Sequence, residues 1–466
     1  MSRKALKVVD ARVADNATLD ERAEQDAEQD RDLVEMNRRY AVVKIGGKTR
    51  VVSLEDSPAY PGSVVPVFST IPDFKAFHDK LKKEIPDPAT PGAYRKVGIG
   101  KWWIEHEQRR QFEGIVYAPN ETPENKLNLW TGYSCDPQEG DCGLYLSHLH
   151  DNVCGGNAEY SAYLLGWMAT AVQDPGRQGE VAVVLRGKEG TGKGVFAREF
   201  GRLFGSHFKH VLNAKHLVGH FNAHLQHCSV LYADEAFFAG DRSHESVLKG
   251  LITEETILVE PKGVDSYSVR NCIHLIMSSN SDWVVPAGAD ARRYFMLDVS
   301  DAHMQDNPYF SAIARQMEKG GRAALLHYLL NCDISDFDIR AVPQTAALAD
   351  QKTRSRRGVD RLVELVAHNA VLPSADMVHP NIAITSGEER GEGFYPGARN
   401  LVPDLKYESP IVIARTLADH WGCKNWHSGN RRGIRFPPLA ELRTAFDVRH
   451  GKQDWDEEIK CWGESS

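Results

Sequence analysis

Apolar positions along this chain follow two rhythms, and the places where one gives way to the other mark its parts. AVVKIGG and TRVVSL, split by a Gly-Gly-Lys turn, carry Val42, Val43, Ile45, Val51 and Val52 and predict a β-hairpin opening a small mixed domain. Ahead of it, residues 10 to 35 are rich in Asp, Glu, Gln and Ala, which predicts a solvated helix or a disordered leader. From Ala158 to Val172 the period lengthens: Tyr160, Leu164, Trp167, Met168 and Ala171 recur at helical spacing until Asp174-Pro175-Gly176 stops them. VAVVLR at 181 to 186 is then a continuous β-branched run, as in strands buried on both faces. Apolar runs ending at Ala233, from Cys272, and after Arg293 predict further strands of the same kind. Near the end, ALADHW and FPPLAELRTAF look helical around a Gly-Asn-Arg-Arg-Gly turn, which suits a small winged-helix-like module binding DNA or a partner. Residues 380 to 400, glycine-rich and polar, read as a loop.

Totals narrow the classes. A chain of 466 residues is too long for one core and favours two to four domains, and 42% hydrophobic with 26% charged residues is ordinary for a globular protein. No apolar run approaches the ~18 residues of a membrane span, and the start lacks a signal-peptide core, so the expectation is a cytoplasmic protein with no membrane partner. Eight scattered cysteines read as free thiols. A net charge of -8 gives no global attraction to nucleic acid, so DNA binding would need a local basic lining such as a ring pore.

Chemistry concentrates between Gly187 and Arg293. Directly after the VAVVLR strand come Gly187, Gly190, Thr191, Gly192, Lys193 and Gly194, followed by a helix with Phe196, Phe200, Leu203 and Phe204 on one face. Strand, glycine loop, lysine, helix is the context of a phosphate-binding loop: backbone N–H groups wrap an anion at a helix N-terminus, and Lys193 reaches the β and γ phosphates of ATP. The residue after the lysine, ordinarily the Ser or Thr that holds Mg²⁺, is Gly194. Either water fills that place or Thr191 contributes from elsewhere in the loop. About forty residues on, Asp234 at a strand tip is read as binding Mg²⁺ through its water shell, and the adjacent Glu235 as polarising the attacking water. Asn280 ends the third strand and is placed to fix that water or touch the γ phosphate. Arg292 and Arg293 offer a guanidinium across a subunit boundary to charge developing on the phosphoryl group, with Arg293 the preferred finger.

The order GKEGTGKG, VLYADE, LIMSSN and ARRYF within about 110 residues resembles the superfamily 3 helicases of phages, plasmids and DNA viruses, particularly the helicase part of phage and poxvirus-type primase-helicases. NLWTGY at 128 to 133, Cys154-Gly155-Gly156 and Gly194 itself are similar to the phage proteins, and the resemblance covers roughly residues 95 to 305 well. It implies an α/β fold with an AAA+ P-loop NTPase core, a mostly parallel sheet between helices. It further implies ATP hydrolysis with Mg²⁺ in a hexameric ring that moves single-stranded DNA through its pore, generally 3′ to 5′. A fused primase domain is not recognisable, which points to a primase or polymerase encoded separately. In such helicases a pore hairpin with a basic tip follows the second motif; Lys262, at Pro261-Lys262-Gly263, matches it, and Lys249 is a weaker candidate.

The expected organisation is a leader over 1–36, a small mixed domain over 37–95, an α/β-helical region over 96–176, the core over 177–305, a helical lid and linker over 306–357, and the C-terminal module over 358–466. Trp102, Trp103 and Trp130 read as core rather than base-stacking residues, and Cys135, Cys142, His148, His150 and Cys154 as buried thiols and ordinary histidines rather than a zinc site. The basic run Lys352 to Arg357 reads equally as a phosphate contact or a solvated linker. Two other functions use the same motifs: an ATPase that remodels protein, and a nucleotide-binding scaffold that loads DNA without unwinding it.

Overall fold

Four β-branched or apolar runs and one mixed segment become the strands of one parallel sheet: β1 (Ala182–Arg186), β2 (Phe208–Val211, the mixed one), β3 (Val230–Asp234), β4 (His274–Ser279) and β5 (Tyr294–Asp298). A computed structural model describes residues 31–60, 63–121, 123–212, 222–235, 242–260, 266–285, 291–356, 358–386 and 391–464. The sheet order is β2-β3-β4-β1-β5, so consecutive strands along the chain are often not neighbours. Each connection must cross over a face, which is why the central strands β1, β3 and β4 carry almost no polar side chain in their middles and are buried along nearly their whole length, whereas edge strand β2 leaves His210 exposed. Register aligns Asp234, Ser278, Leu185 and Leu297 in one row, which brings the carboxyl ends of four strands to a common edge.

Two helices fix that edge. α1 (Ala158–Gln173) starts at Asn157, whose side chain accepts from the Tyr160 N–H, and buries Tyr163, Leu164, Trp167 and Met168. The Trp167 indole also donates to the Val181 carbonyl at 2.9 Å, tying α1 to the start of β1. α2 (Lys193–Arg202) buries Phe196, Ala197 and Phe200 against the same core. Trp167→Ala, which removes a fully buried indole and its hydrogen bond, is expected to destabilise the protein by about 3–5 kcal/mol in urea unfolding.

The N-terminal hairpin pairs Tyr40–Ile45 with Lys48–Asp56, and the turn between Ile45 and Lys48 holds Gly46 and Gly47 at φ 51° and 73°, which a two-residue hairpin loop of this hand requires. Val64–Ser69 and Gln111–Phe112 complete a four-stranded sheet. The helix Arg31–Arg39 reaches into the stretch read as leader: Leu33 and Met36 are buried with Val42, Phe74 and Trp103, because those two side chains share its inner face. Residues 1–30 lie outside the described residues.

The chain divides into two compact units, and the main division falls after Leu348, inside the stretch read as lid and linker. Val43, Val52, Leu127 and Trp130 join one continuous core with Trp167, Val183 and Phe200, which makes the regions read as separate before residue 177 part of the first unit. Trp103 and Trp130 are buried core, as their apolar neighbours indicate.

The second unit is not purely helical. Helices Gly358–Asn369, Phe394–Leu401, Pro410–Trp421 and Leu439–His450 pack with a three-stranded antiparallel sheet of Ile382–Ile384, Arg431–Arg435 and Lys424–Ser428 around Phe394, Trp421, Phe436 and Phe446. The Gly-Asn-Arg-Arg-Gly turn therefore joins two strands, and the stretch read as a loop contains a strand and a helix that buries Phe394, Tyr395 and Ala398. The basic run is partly spent within this unit: Arg354 pairs with Asp350 at 2.9 Å, and Arg356 with Glu364. No helix among the described residues is long and apolar enough to cross a membrane.

Candidate functional site

The common carboxyl edge of the sheet carries the glycine loop. Residues 187 to 190 protrude between β1 and α2, with Lys188, Glu189 and Gly190 exposed, and Gly192 caps α2 in the left-handed region at φ 93°. A Cβ at Gly192 would lie 2.6 Å from both His148 Cε1 and Phe310 Cε1, so side chains close one flank of the loop as well. His148 sits 3.3 Å from the Gly192 carbonyl, and burial pulls its pKa down to about 4, which keeps the ring neutral. Asn152 donates to the Thr191 carbonyl at 2.7 Å, and the Gln305 N–H to the Gly190 carbonyl at 2.9 Å.

Lys193 begins α2 and turns its ammonium back into the loop. It donates to the carbonyls of Gly187 and Lys188 at 2.5 and 2.8 Å and to Asn280 Oδ1 at 2.7 Å. Burial lowers its pKa, offset in part by the charges of Glu235, Asp234 and Glu189. Asn280 then passes the connection on: its N–H donates to Glu235 Oε1 at 2.7 Å, while the Ser279 hydroxyl donates to Oε2 at 3.0 Å. Lysine, asparagine and glutamate thus form one hydrogen-bonded chain. It exists because β4 lies between β1 and β3 in the sheet, which sets the tip of β4 between the loop and the acidic strand.

Glu235 is exposed and holds φ at 51°, a left-handed conformation that costs a non-glycine residue about 1–2 kcal/mol. Its N–H donates to the Ser278 carbonyl at 2.9 Å, so the bend that turns it outward is held by β4. Asp234 accepts from the Ser278 hydroxyl and lies 3.4 Å from His210 Nε2. Burial would raise its pKa, but hydrogen bonds from His210, Ser278 and Tyr232 outweigh burial and hold it at about 2, so the carboxylate is charged at neutral pH.

The Mg²⁺ shell inferred for this loop fits on one side only. Asp234 is an ionised carboxylate at the strand tip, as a hard cation needs. Thr191 does not supply the second oxygen: it is 1% exposed, and its hydroxyl donates to the Lys188 carbonyl at 2.9 Å inside the loop.

Arg292 and Arg293 stand apart from this cluster. They precede β5, whose first residue pairs with Ala182 at the start of β1, whereas the loop follows Arg186 at its end. Five residues of strand put them about 15–17 Å from the loop of their own chain. Arg292 is exposed, and Arg293 keeps its Nε buried without a hydrogen-bond partner. Lys249 is exposed on the helix Arg242–Thr253. Thr256–Val259 and Tyr267–Arg270 pair as an antiparallel ribbon, but Lys262 lies outside the described residues.

Sequence reading missed the supporting residues His148, Asn152, His210, Ser278 and Ser279. The two serines stood in the LIMSSN run itself; the others come from distant segments and carry no local signal. Cys142 and Cys154 are thiols that burial pushes up to about 11 and about 12, and no group of three or more metal-ligating side chains forms among the described residues.

The architecture is thus a mixed α/β protein with a lysine-bearing glycine loop at the carboxyl edge of a parallel sheet. Residues 185–293, which span that edge, match a family of unknown function (DUF5906). Over 225 residues, 48% of this chain, the sequence is 26% identical to a DNA primase-polymerase of Nitratiruptor phage NrS-1, and the match spans 29% of that relative's length. In fold the chain is similar to the C-terminal region of NrS-1 solved in apo form, with a TM-score of 0.60 at 12% identity over 88% of this chain and 100% of that one. A second apo structure of that region gives 0.59 at 14% identity, over 86% and 98%.

Proposed function

We propose that this chain is a nucleotide-driven motor of the AAA+ type that hydrolyses ATP to move along single-stranded DNA during phage DNA replication, a superfamily 3 helicase. The observation that carries the proposal is the chain Lys193–Asn280–Glu235 beside a glycine loop at the carboxyl edge of a parallel sheet. Ligands of open α/β sheets sit outside that edge, and the loop's N–H groups with the α2 N-terminus favour phosphate there.

Each residue then has a task. Lys193 exchanges its internal carbonyl partners for β and γ phosphate oxygens. Glu235, turned outward by its strained backbone, accepts the proton of the attacking water, and Asn280 reports between phosphate and base because it touches both Lys193 and Glu235. Asp234 is the residue that would hold Mg²⁺, which would draw charge off the phosphates. Arg292 or Arg293 cannot reach the loop of its own chain, so it acts on a neighbouring copy, which is why the motor works as an oligomer, a hexameric ring in this reading. Lys262, which lies in sequence between two paired strands, meets the DNA backbone in this reading. Similarity to a phage protein called a DNA primase-polymerase supports the replication setting, with a primase or polymerase among the partners of this motor.

The test is ATP hydrolysis by the purified protein with and without single-stranded DNA, beside unwinding of a duplex bearing a 3′ tail. Hydrolysis stimulated by DNA, with unwinding, is the expected result. Hydrolysis indifferent to DNA would replace the helicase with a protein-remodelling ATPase, and absence of hydrolysis would reduce the chain to a scaffold.

A further inference from the structure

Gly194 has ordinary helical backbone on α2, so its conformation does not call for glycine; a neighbour does. A Cβ at Gly194 would stand 2.4 Å from Arg198 Nη1, 3.0 Å from Cζ and 3.1 Å from Nη2. Arg198, one helical turn further on, therefore lays its guanidinium over Gly194, in the volume where a lysine loop ordinarily places a hydroxyl and the metal ion it holds. Any side chain at 194 would have to push it out.

Among the described residues the charge of that guanidinium is unspent. Glu199 beside it is tied to Arg202 and Arg322, Glu235 accepts from Ser279 and Asn280, and Asp234 accepts from Ser278 and His210. Among the described residues Arg198 makes no ion pair or hydrogen bond, although it is half-buried. Its field reaches Tyr232 on β3, two residues before Asp234, where it partly offsets the effect of burial on the phenol. Among the described residues, this half-buried cation beside a phosphate loop, with neighbouring acids already engaged, has no counter-ion.

We propose that Arg198 is a phosphate-binding residue of this site, so that one helix presents two cations, Lys193 and Arg198, to the polyphosphate of a nucleoside triphosphate. The planar, permanently charged guanidinium grips two phosphate oxygens at once without needing a bound metal. Binding of the nucleotide consequently depends less on a divalent cation than in loops with Ser or Thr after the lysine. The inference rests on the nucleotide-site reading above.

The experiment is equilibrium binding of N-methylanthraniloyl-ATP, followed by fluorescence anisotropy in excess Mg²⁺ and in EDTA, with circular dichroism to confirm folding. Wild type is expected to bind in EDTA within about tenfold of its affinity in Mg²⁺, and Arg198→Gln, near in size but neutral, to lose about 10–100-fold in EDTA. Gly194→Ser combined with Arg198→Ala is expected to recover binding only when Mg²⁺ is present, because the hydroxyl then has room to hold the ion. Arg198→Gln binding like wild type in both media would overturn the proposal and leave Arg198 as packing over Gly194. Wild type binding in neither medium would instead remove the nucleotide-site reading itself.

Discussion

Glu235→Gln is expected to bind nucleotide as wild type does and to hydrolyse it about 10²–10⁴-fold more slowly, the usual range for a general base. The amide keeps an oxygen for the Asn280 N–H at Oε1 and remains within reach of the Ser279 hydroxyl, so the left-handed bend at residue 235 and the tip of β4 are preserved. What disappears is the charge that takes the proton. Steady-state phosphate release and anisotropy of a labelled nucleotide, measured on the same sample, separate the two effects. Hydrolysis retained at about a third of wild type or more would remove Glu235 as the base and leave a nucleotide-binding scaffold.

Lys193→Ala is expected to act on both quantities, lowering hydrolysis by about 10²–10³-fold and weakening nucleotide binding by about tenfold or more, because the lysine charge meets the phosphates before and during transfer. Lys193 is 7% exposed, and its ammonium has three acceptors in the ligand-free loop, the carbonyls of Gly187 and Lys188 and the Asn280 amide. Those hydrogen bonds pre-position it, and they also mean that the alanine variant loses the link between loop and β4. A thermal melt decides whether that link is structural: a shift of a few degrees with binding lost assigns the lysine to the ligand. Unaltered nucleotide affinity in Lys193→Ala would contradict the phosphate role outright.

The two variants together distinguish a site from a coincidence of motifs. If Lys193, Asn280 and Glu235 act as a unit, loss of either end member leaves the other nearly inconsequential, and the double variant is expected to be little worse than Lys193→Ala alone. Independent contributions would instead multiply.

Much of this edge was legible along the chain because its signals are local. VAVVLR, VLYAD and the run ending LIMSS have the apolar continuity of strands covered on both faces, and glycines before Lys193 announce a tight approach of backbone to something. The period of α1 is likewise a property of neighbours three and four apart. The C-terminal unit shows the opposite case: KNWHS and RRGIR alternate weakly, and their strands hold through pairing to each other and to Ile382–Ile384, which no window of ten residues contains. The stretch from 380 to 400 was hidden by its glycines, although Phe394, Tyr395 and Ala398 bury one face of a helix there.

What the sequence determined by itself was the kind of element and the residue at each tip: strand then glycine loop then Lys193, strand then Asp234 and Glu235, strand then Asn280. Those depend on local backbone preference and on an apolar pattern that any buried strand must show. Only the tertiary structure decided which tips meet. Inserting β4 between β1 and β3 sets Asn280 between lysine and glutamate, the parallel register sends Arg292 and Arg293 to the far edge, and one helical turn lays Arg198 over Gly194. Strand order is chosen by burial of both sheet faces and by crossover connections over many residues, a global free energy that local pattern does not encode.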